Sequence, residues 1–317
     1  MVMSPSGSQA VRMKILVIGG CGFIGSHIMD ALLREGHAVR VLTLVPERFR
    51  QPLPGVDYRF GSFLDPATLA AAVTGMDAVF HVASTTFPTT ADKNPRADVH
   101  DNLLGTMGVV ETMLDCGVRR LLFLSSGGTV YGMPETVPIP EAHPLRPIAS
   151  YGIVKASIEH FLNHYRRTRG LSAIVIRASN PVGARQSSIG IQGVVATFLD
   201  KIASGEPIEI WGDGSVVRDY VDVVDLAEFC VIAGTSDRDG PYNAGSGVGT
   251  SINEIVELVR DVTGRPVVPV YRDFRTADVP VSVLAMTKAE QDFGWVPKRS
   301  VREAIESAWA WRMSQGD

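Results

Sequence analysis

Hydrophobic positions along this chain come in short solid blocks. Lys14 to Ile18 (KILVI) is apolar after its first residue, as expected of a strand covered on both faces. Similar blocks recur at AVRVL (38–42), VDYRF (56–60), DAVFHVA (77–83), RLLFLSS (120–126) and SAIVIRA (172–178). Between them the apolar spacing turns helical, predicting helices at about Phe23 to Glu35, Pro66 to Val73, Pro95 to Cys116 and Ser150 to Arg169. Strand and helix in repeated alternation predict an α/β fold, a Rossmann-type doubly wound parallel sheet, over residues 12–182.

After Asn180-Pro181 the rhythm breaks. Loops rich in Gly, Ser and Pro alternate with helices at about Val194 to Ser204, Val224 to Ala233 and Ser251 to Thr263. Residues 183–317 are therefore expected as a smaller C-terminal α/β lobe, with its cleft against the carboxyl edge of the sheet. A segment near 216–245 is a candidate for return to the first unit.

Composition narrows the function classes. The 317 residues are 45% hydrophobic and 20% charged, with net charge −4, so no basic field invites nucleic acid or an anionic membrane. Cys21, Cys116 and Cys230 form no CxxC pair, which argues against a disulfide framework and a zinc site and fits a cytoplasmic protein without metal. The opening MVMSPSGSQAVR lacks an apolar signal core and is expected as a disordered tail; no stretch reaches the length of a membrane span.

Candidate chemistry starts at the first turn. GGCGFIG puts Gly19, Gly22 and Gly25 at GxxGxxG spacing directly after KILVI and ahead of an amphipathic helix. Such a turn lets backbone approach a dinucleotide pyrophosphate while helix N–H groups point at it. The second strand would then end in an acid for the adenosine ribose, but it ends in Thr43, with Glu47 the nearest acid and Arg48 and Arg50 following. NAD is the expected cofactor, and the guanidinium groups keep NADP open; a solvated loop explains them equally well. Tyr151 and Lys155, in ASYGIVKAS, stand one helical turn apart, which on spacing alone reads as a surface pair.

The order of GxxGxxG, SSGGTVYG (125–132), YxxxK (151–155) and RASNPVGARQ (177–186) resembles the extended short-chain dehydrogenase/reductases. Specifically, the chain is similar to the NAD-dependent epimerase/dehydratase group acting on nucleotide sugars, over about residues 13–310, and within it to the UDP-hexose 4-epimerases. The resemblance implies tightly bound NAD, a UDP-sugar substrate and a homodimer paired through the helices near 95–116 and 150–169. It makes Tyr151 the base for a sugar hydroxyl and Lys155 its partner, which also holds the nicotinamide ribose. An ammonium ~5 Å from the phenol, at an effective dielectric of ~20, would favour phenolate by ~3 kcal/mol, about two pKa units.

The third member of the implied catalytic set is a hydroxyl beside the tyrosine. Many relatives carry it where this chain has Gly127; relatives with a double glycine carry it one residue earlier, at Ser126. Ser126 is the choice here, with Thr129 in reserve. The same resemblance assigns cofactor contacts to Gly19, Gly22, Phe23, Ile24, Gly25, Thr43, Ser62, Phe63, Val82, Ala83, Ser84 and Asn102. GSFLD, where relatives have GDxxD, departs from the usual adenine contacts, and Asn102 also reads as a polar satisfier within its helix. His81 reads as structural. On the substrate side the resemblance implies Thr129, Asn180, Arg218, Arg275, Asp278 and Ser282, the last bordering the sugar 2-position and small enough for N-acetyl sugars.

Sugar dehydratases of this group carry an Asp-Glu pair where this chain has Gly127, Gly128 and Thr129, so dehydration is not expected. The remaining alternatives are a reductase or an epimerase of another nucleotide sugar such as UDP-glucuronate, and a non-catalytic dinucleotide-binding protein.

Overall fold

The computed structural model describes residues 12–186, 193–273 and 279–315. The N-terminal half runs β1 (Lys14–Ile18), α1 (Phe23–Arg34), β2 (Ala38–Thr43), β3 (Asp57–Phe60), α2 (Pro66–Val73), β4 (Ala78–His81), α3 (Pro88–Ala91) and α4 (Pro95–Asp98). A π-helical stretch (Val99–Leu104) leads into α5 (Gly105–Asp115), followed by β5 (Arg120–Ser126), α6 (Ser150–Arg169) and β6 (Ser172–Ala178). Then come β7 (Asn180–Val182), α7 (Val194–Ser204), β8 (Ile208–Trp211), β9 (Val217–Asp222), α8 (Val223–Gly234) and β10 (Gly240–Ala244). The chain closes with β11 (Gly249–Ser251), α9 (Ile252–Thr263), β12 (Pro269–Arg272), β13 (Val281–Ser282), α10 (Thr287–Phe293) and α11 (Val301–Ser314).

Seven parallel strands form the main sheet in the order β10-β6-β5-β4-β1-β2-β3. The solid apolar blocks serve both faces: Ile15 and Val17 enter the core that holds α1 and α8, while Leu16 and Ile18 enter the core under α2, α5 and α6. The chain leaves β1 toward β2 and later resumes on the other side at β4, which opens a crevice at the carboxyl ends of these strands. A second sheet, β11-β9-β13 with β7 paired to β9, and the pair β12-β8 accompany a separate core with α7, α9 and α11. Among the described residues no helix is long and apolar enough to cross a membrane.

Helix α6 is fixed to the sheet by charge as well as by apolar packing. Glu159 and Arg177 are both buried and paired, Arg177 Nη2 lying 2.6 Å from Glu159 Oε2. Ser125 Oγ donates to the same carboxylate at 2.6 Å, and Arg177 Nη1 donates to the Tyr131 hydroxyl at 2.9 Å. Burial raises the cost of leaving either charge alone more than it raises the value of the pair. Arg177→Met should therefore lower stability by about 3–5 kcal/mol in urea unfolding, and the double variant Arg177→Met/Glu159→Leu should regain more than half of that. Equal losses in the two would rule out the stranded carboxylate as the cause.

Candidate active site

The glycine turn between β1 and α1 has the form a dinucleotide needs. Gly19 has φ +90°, and a Cβ there would lie 2.9 Å from the Ala83 backbone. A Cβ on Gly25 would lie 2.2 Å from the Gly19 carbonyl, so the helix enters against bare backbone. Gly22 is the N-cap of α1 and supplies no side-chain cap, so the helix start, with Phe23 and Ile24 as its first residues, has no side-chain acceptor of its own there. These residues fit a pyrophosphate. Val82 and Ala83 follow β4 on the neighbouring strand of the same crevice, half-buried.

At the adenosine end, Thr43 is buried at the tip of β2, where its hydroxyl donates to the Val45 carbonyl at 2.9 Å. Arg50 is not a free guanidinium: it pairs with Asp30, reaches Glu47 and donates to the Ser26 carbonyl at 3.2 Å. Arg48 is exposed, its guanidinium 5.4 Å from the Phe49 ring. Only one of the two arginines that left NADP open thus remains outside an ion pair with α1. Ser62 is half-buried and its hydroxyl accepts from the Leu64 N–H at 3.1 Å, while Phe63 packs edge-on to His81. His81 is buried, shares a 3.0 Å hydrogen bond with Thr106 and is held neutral, its pKa pushed down to about 3 by burial and by Lys155. That is the structural histidine its sequence context suggested.

Tyr151 and Lys155 meet as the helical spacing requires. The ammonium lies 5.5 Å from the Tyr151 ring centroid and 4.7 Å from that of Phe123, and it donates to the Leu124 carbonyl at 2.9 Å. Lys155 is buried, which pulls its pKa down to about 8 against the carboxylates of Asp98 and Glu159. The phenol departs from expectation. Tyr151 is partly exposed as a residue, yet burial of its hydroxyl end, helped by the Asp98 carboxylate, pushes its pKa up to about 12. A hydrogen bond with Ser84 acts in the opposite sense. Spacing supplied the ammonium but could not supply the desolvation.

The hydroxyl question has a steric side. A Cβ on Gly127 would lie 2.6 Å from Leu284 and 2.9 Å from the Arg177 carbonyl, so no serine fits there without movement. Ser125 is engaged by Glu159, which leaves Ser126, half-buried at the end of β5, as the candidate hydroxyl at the carboxyl edge. Thr129 Oγ1 is buried and has no hydrogen-bond partner among the described residues.

On the substrate side, Asn180 Nδ2 donates to the Asp219 carbonyl at 2.9 Å, tying β7 to β9. Arg218 stands beside Ser282 in the β9–β13 register, and its guanidinium donates to the Val279 carbonyl at 2.6 Å. Ser282 is buried. Arg275 and Asp278 lie outside the described residues. Among the described residues no group of His, Cys, Asp and Glu could hold a metal ion.

Sequence reasoning missed Asp98. Its carboxylate, wholly buried, accepts from Thr86 Oγ1 at 2.7 Å, Asn102 Nδ2 at 2.8 Å and Ser150 Oγ at 3.1 Å. Asn102 also donates to Thr85 and Thr86, each at 3.0 Å, and accepts from Ser84 Oγ at 3.4 Å. The available signal was Asp98 four residues before Asn102, on one helical face.

The signature of the NAD dependent epimerase/dehydratase family matches residues 15–245. A UDP-glucose 4-epimerase of Corynebacterium glutamicum is 33% identical over 96% of this chain and 97% of its own. Among solved structures, the chain is similar to UDP-glucose 4-epimerase of Thermotoga maritima with UDP-glucose, at 34% identity and TM-score 0.91, covering 96% of this chain and 100% of that one. It is also similar to the Thermus thermophilus UDP-glucose 4-epimerase in complex with NAD, at 34% identity and TM-score 0.88, covering 94% and 98%. A family signature across more than half the chain, joined to a relative a third identical almost end to end, decides the lineage: the chain belongs to the NAD-dependent epimerase/dehydratase family.

Proposed function

We propose that this protein is a UDP-hexose 4-epimerase that oxidises and re-reduces the sugar at C4. The observation that carries the reading is the Tyr151–Lys155 turn of α6, its ammonium buried and its phenol end desolvated, with no carboxyl at residues 127–129 to add a dehydration. When bound, NAD supplies the two-electron acceptor and donor. Gly19, Gly22 and Gly25 leave bare backbone for its pyrophosphate, and Phe23 and Ile24 open the helix aimed at it. Thr43, Ser62 and Phe63 line its adenosine end, and Val82, Ala83, Ser84 and Asn102 its nicotinamide end.

Tyr151 takes the C4 hydroxyl proton and returns it, and Ser126 orients that hydroxyl, with Thr129 beside it. Lys155 favours the phenolate and hydrogen-bonds the nicotinamide ribose. Asn180, Arg218 and Arg275 hold the UDP diphosphate, and Asp278 the uridine ribose. The small buried Ser282 leaves space at the sugar 2-position, so N-acetylated UDP-hexoses enter as well.

A homodimer belongs to the same reading. Val99 and Leu104 on one helical segment are 41% and 52% exposed, and Ile153 and Phe161 on α6 are 50% and 38% exposed, an apolar surface suited to a second copy. Cytoplasmic residence is supported by three free thiols.

With the four common UDP-hexoses as substrates, wild-type protein should interconvert 4-epimers and release NAD on denaturation, while Tyr151→Phe should lower kcat by about 10²–10⁴-fold with its cofactor retained. Undiminished turnover by that variant would end the assignment. Ser282→Tyr should selectively depress turnover of UDP-GlcNAc and UDP-GalNAc. Equal loss on both sugar pairs, or none, would show that residue 282 does not gate the 2-position.

A further inference from the structure

Helix α6 begins without a cap of its own: Ala149 offers no side-chain acceptor. Its first residue is held from outside instead. Asp92 Oδ1 accepts the Ser150 N–H at 2.8 Å, and Asp98 Oδ2 accepts the Ser150 hydroxyl. Tyr151 is the next residue, so the direction of its side chain depends on that anchorage. A second route joins the same two groups: Asp98 fixes the Asn102 amide, Asn102 meets Ser84, and Ser84 hydrogen-bonds Tyr151. The π-helical stretch that carries Asn102 is the kind of local irregularity that re-aims a side chain.

All three donors to Asp98 are neutral. Among the described residues it forms no ion pair, although it is wholly buried. A buried carboxylate without a paired cation is costly, and its charge reaches other groups nearby with little screening. We propose that Asp98 is a positioning residue for Tyr151: it anchors the first turn of α6 and adds a negative charge that reaches both the Tyr151 phenol and the Lys155 ammonium. This inference rests on the epimerase reading above.

The charged and titratable groups around the phenol are few. Lys155 lies beside it on its own helix and Asp98 bears on it from α4, while Asp92, between α3 and α4, takes the Ser150 N–H one residue before it. Glu159 and His81 bear on Lys155, and His81 is neutral. Burial and Asp98 push the phenol toward its protonated form, so removal of the negative charge must lower its pKa.

The test is a near-ultraviolet tyrosinate titration of the NAD-loaded protein. Tyr151→Phe identifies the signal of this phenol. Asp98→Asn and Asp98→Ser, both neutral, should move its midpoint to lower pH by about one pH unit, and the acid limb of kcat for UDP-hexoses should follow. Ser150→Ala removes the anchoring bond and keeps the charge: it should leave the midpoint in place and lower kcat roughly fivefold. A midpoint common to wild type and whichever Asp98 variant folds would overturn the proposal, even in an active epimerase. A shifted midpoint in a protein that turns over no UDP-hexose would sustain it and sink the epimerase reading instead.

Discussion

Desolvation acts in opposite senses on the two ends of one helical turn. Burial drives the Tyr151 phenol up to about 12 and the Lys155 ammonium down to about 8, each toward its uncharged form. The role proposed for Lys155 needs it charged against that pressure, and the groups around it favour the charged form. The ammonium has the Leu124 carbonyl as acceptor, the Phe123 ring face beside it and the Glu159 carboxylate beyond. Glu159 is in turn held by Arg177 and Ser125, which fix α6 to β6 and β5.

The second lobe is coupled to this arrangement through a buried carboxylate. Asp219 on β9 accepts from the N–H groups of Ser246, Gly247 and Leu284, at 2.7, 3.2 and 3.1 Å. These bonds bring together the chain leaving β10, the chain leaving β13 and β9 itself. Arg218 and Ser282 are the neighbours of that junction, and Leu284 packs over Gly127 next to Ser126. Among the described residues, Arg218, Ser282 and the Gly127–Ser126 turn thus meet at one junction.

How much was legible in the sequence follows element by element. The solid apolar blocks and most of the long helices were readable because each spans enough residues for a period to be counted, α11 being the long helix left unread; KILVI, RLLFLSS and SAIVIRA match their strands residue for residue. Strands β7 and β11, of three residues, and β13, of two, carry no countable pattern and went unread. The run 95–116 reads as one helix because a π-helical stretch leaves the apolar spacing almost intact. At the site, residue types and spacing located the phenol, the ammonium and the glycine turn. They could not reveal that Arg50 is paired, that Gly127 has no space for a side chain, or that Asp98 reaches Ser150 at the start of α6, since each depends on long-range packing.

In the epimerase reading the sugar is oxidised at C4 and the same hydrogen returns to its opposite face. UDP-glucose deuterated at C4 tests it most directly. The account predicts that the UDP-galactose formed keeps its deuterium at C4; loss of the label to water during interconversion would contradict it.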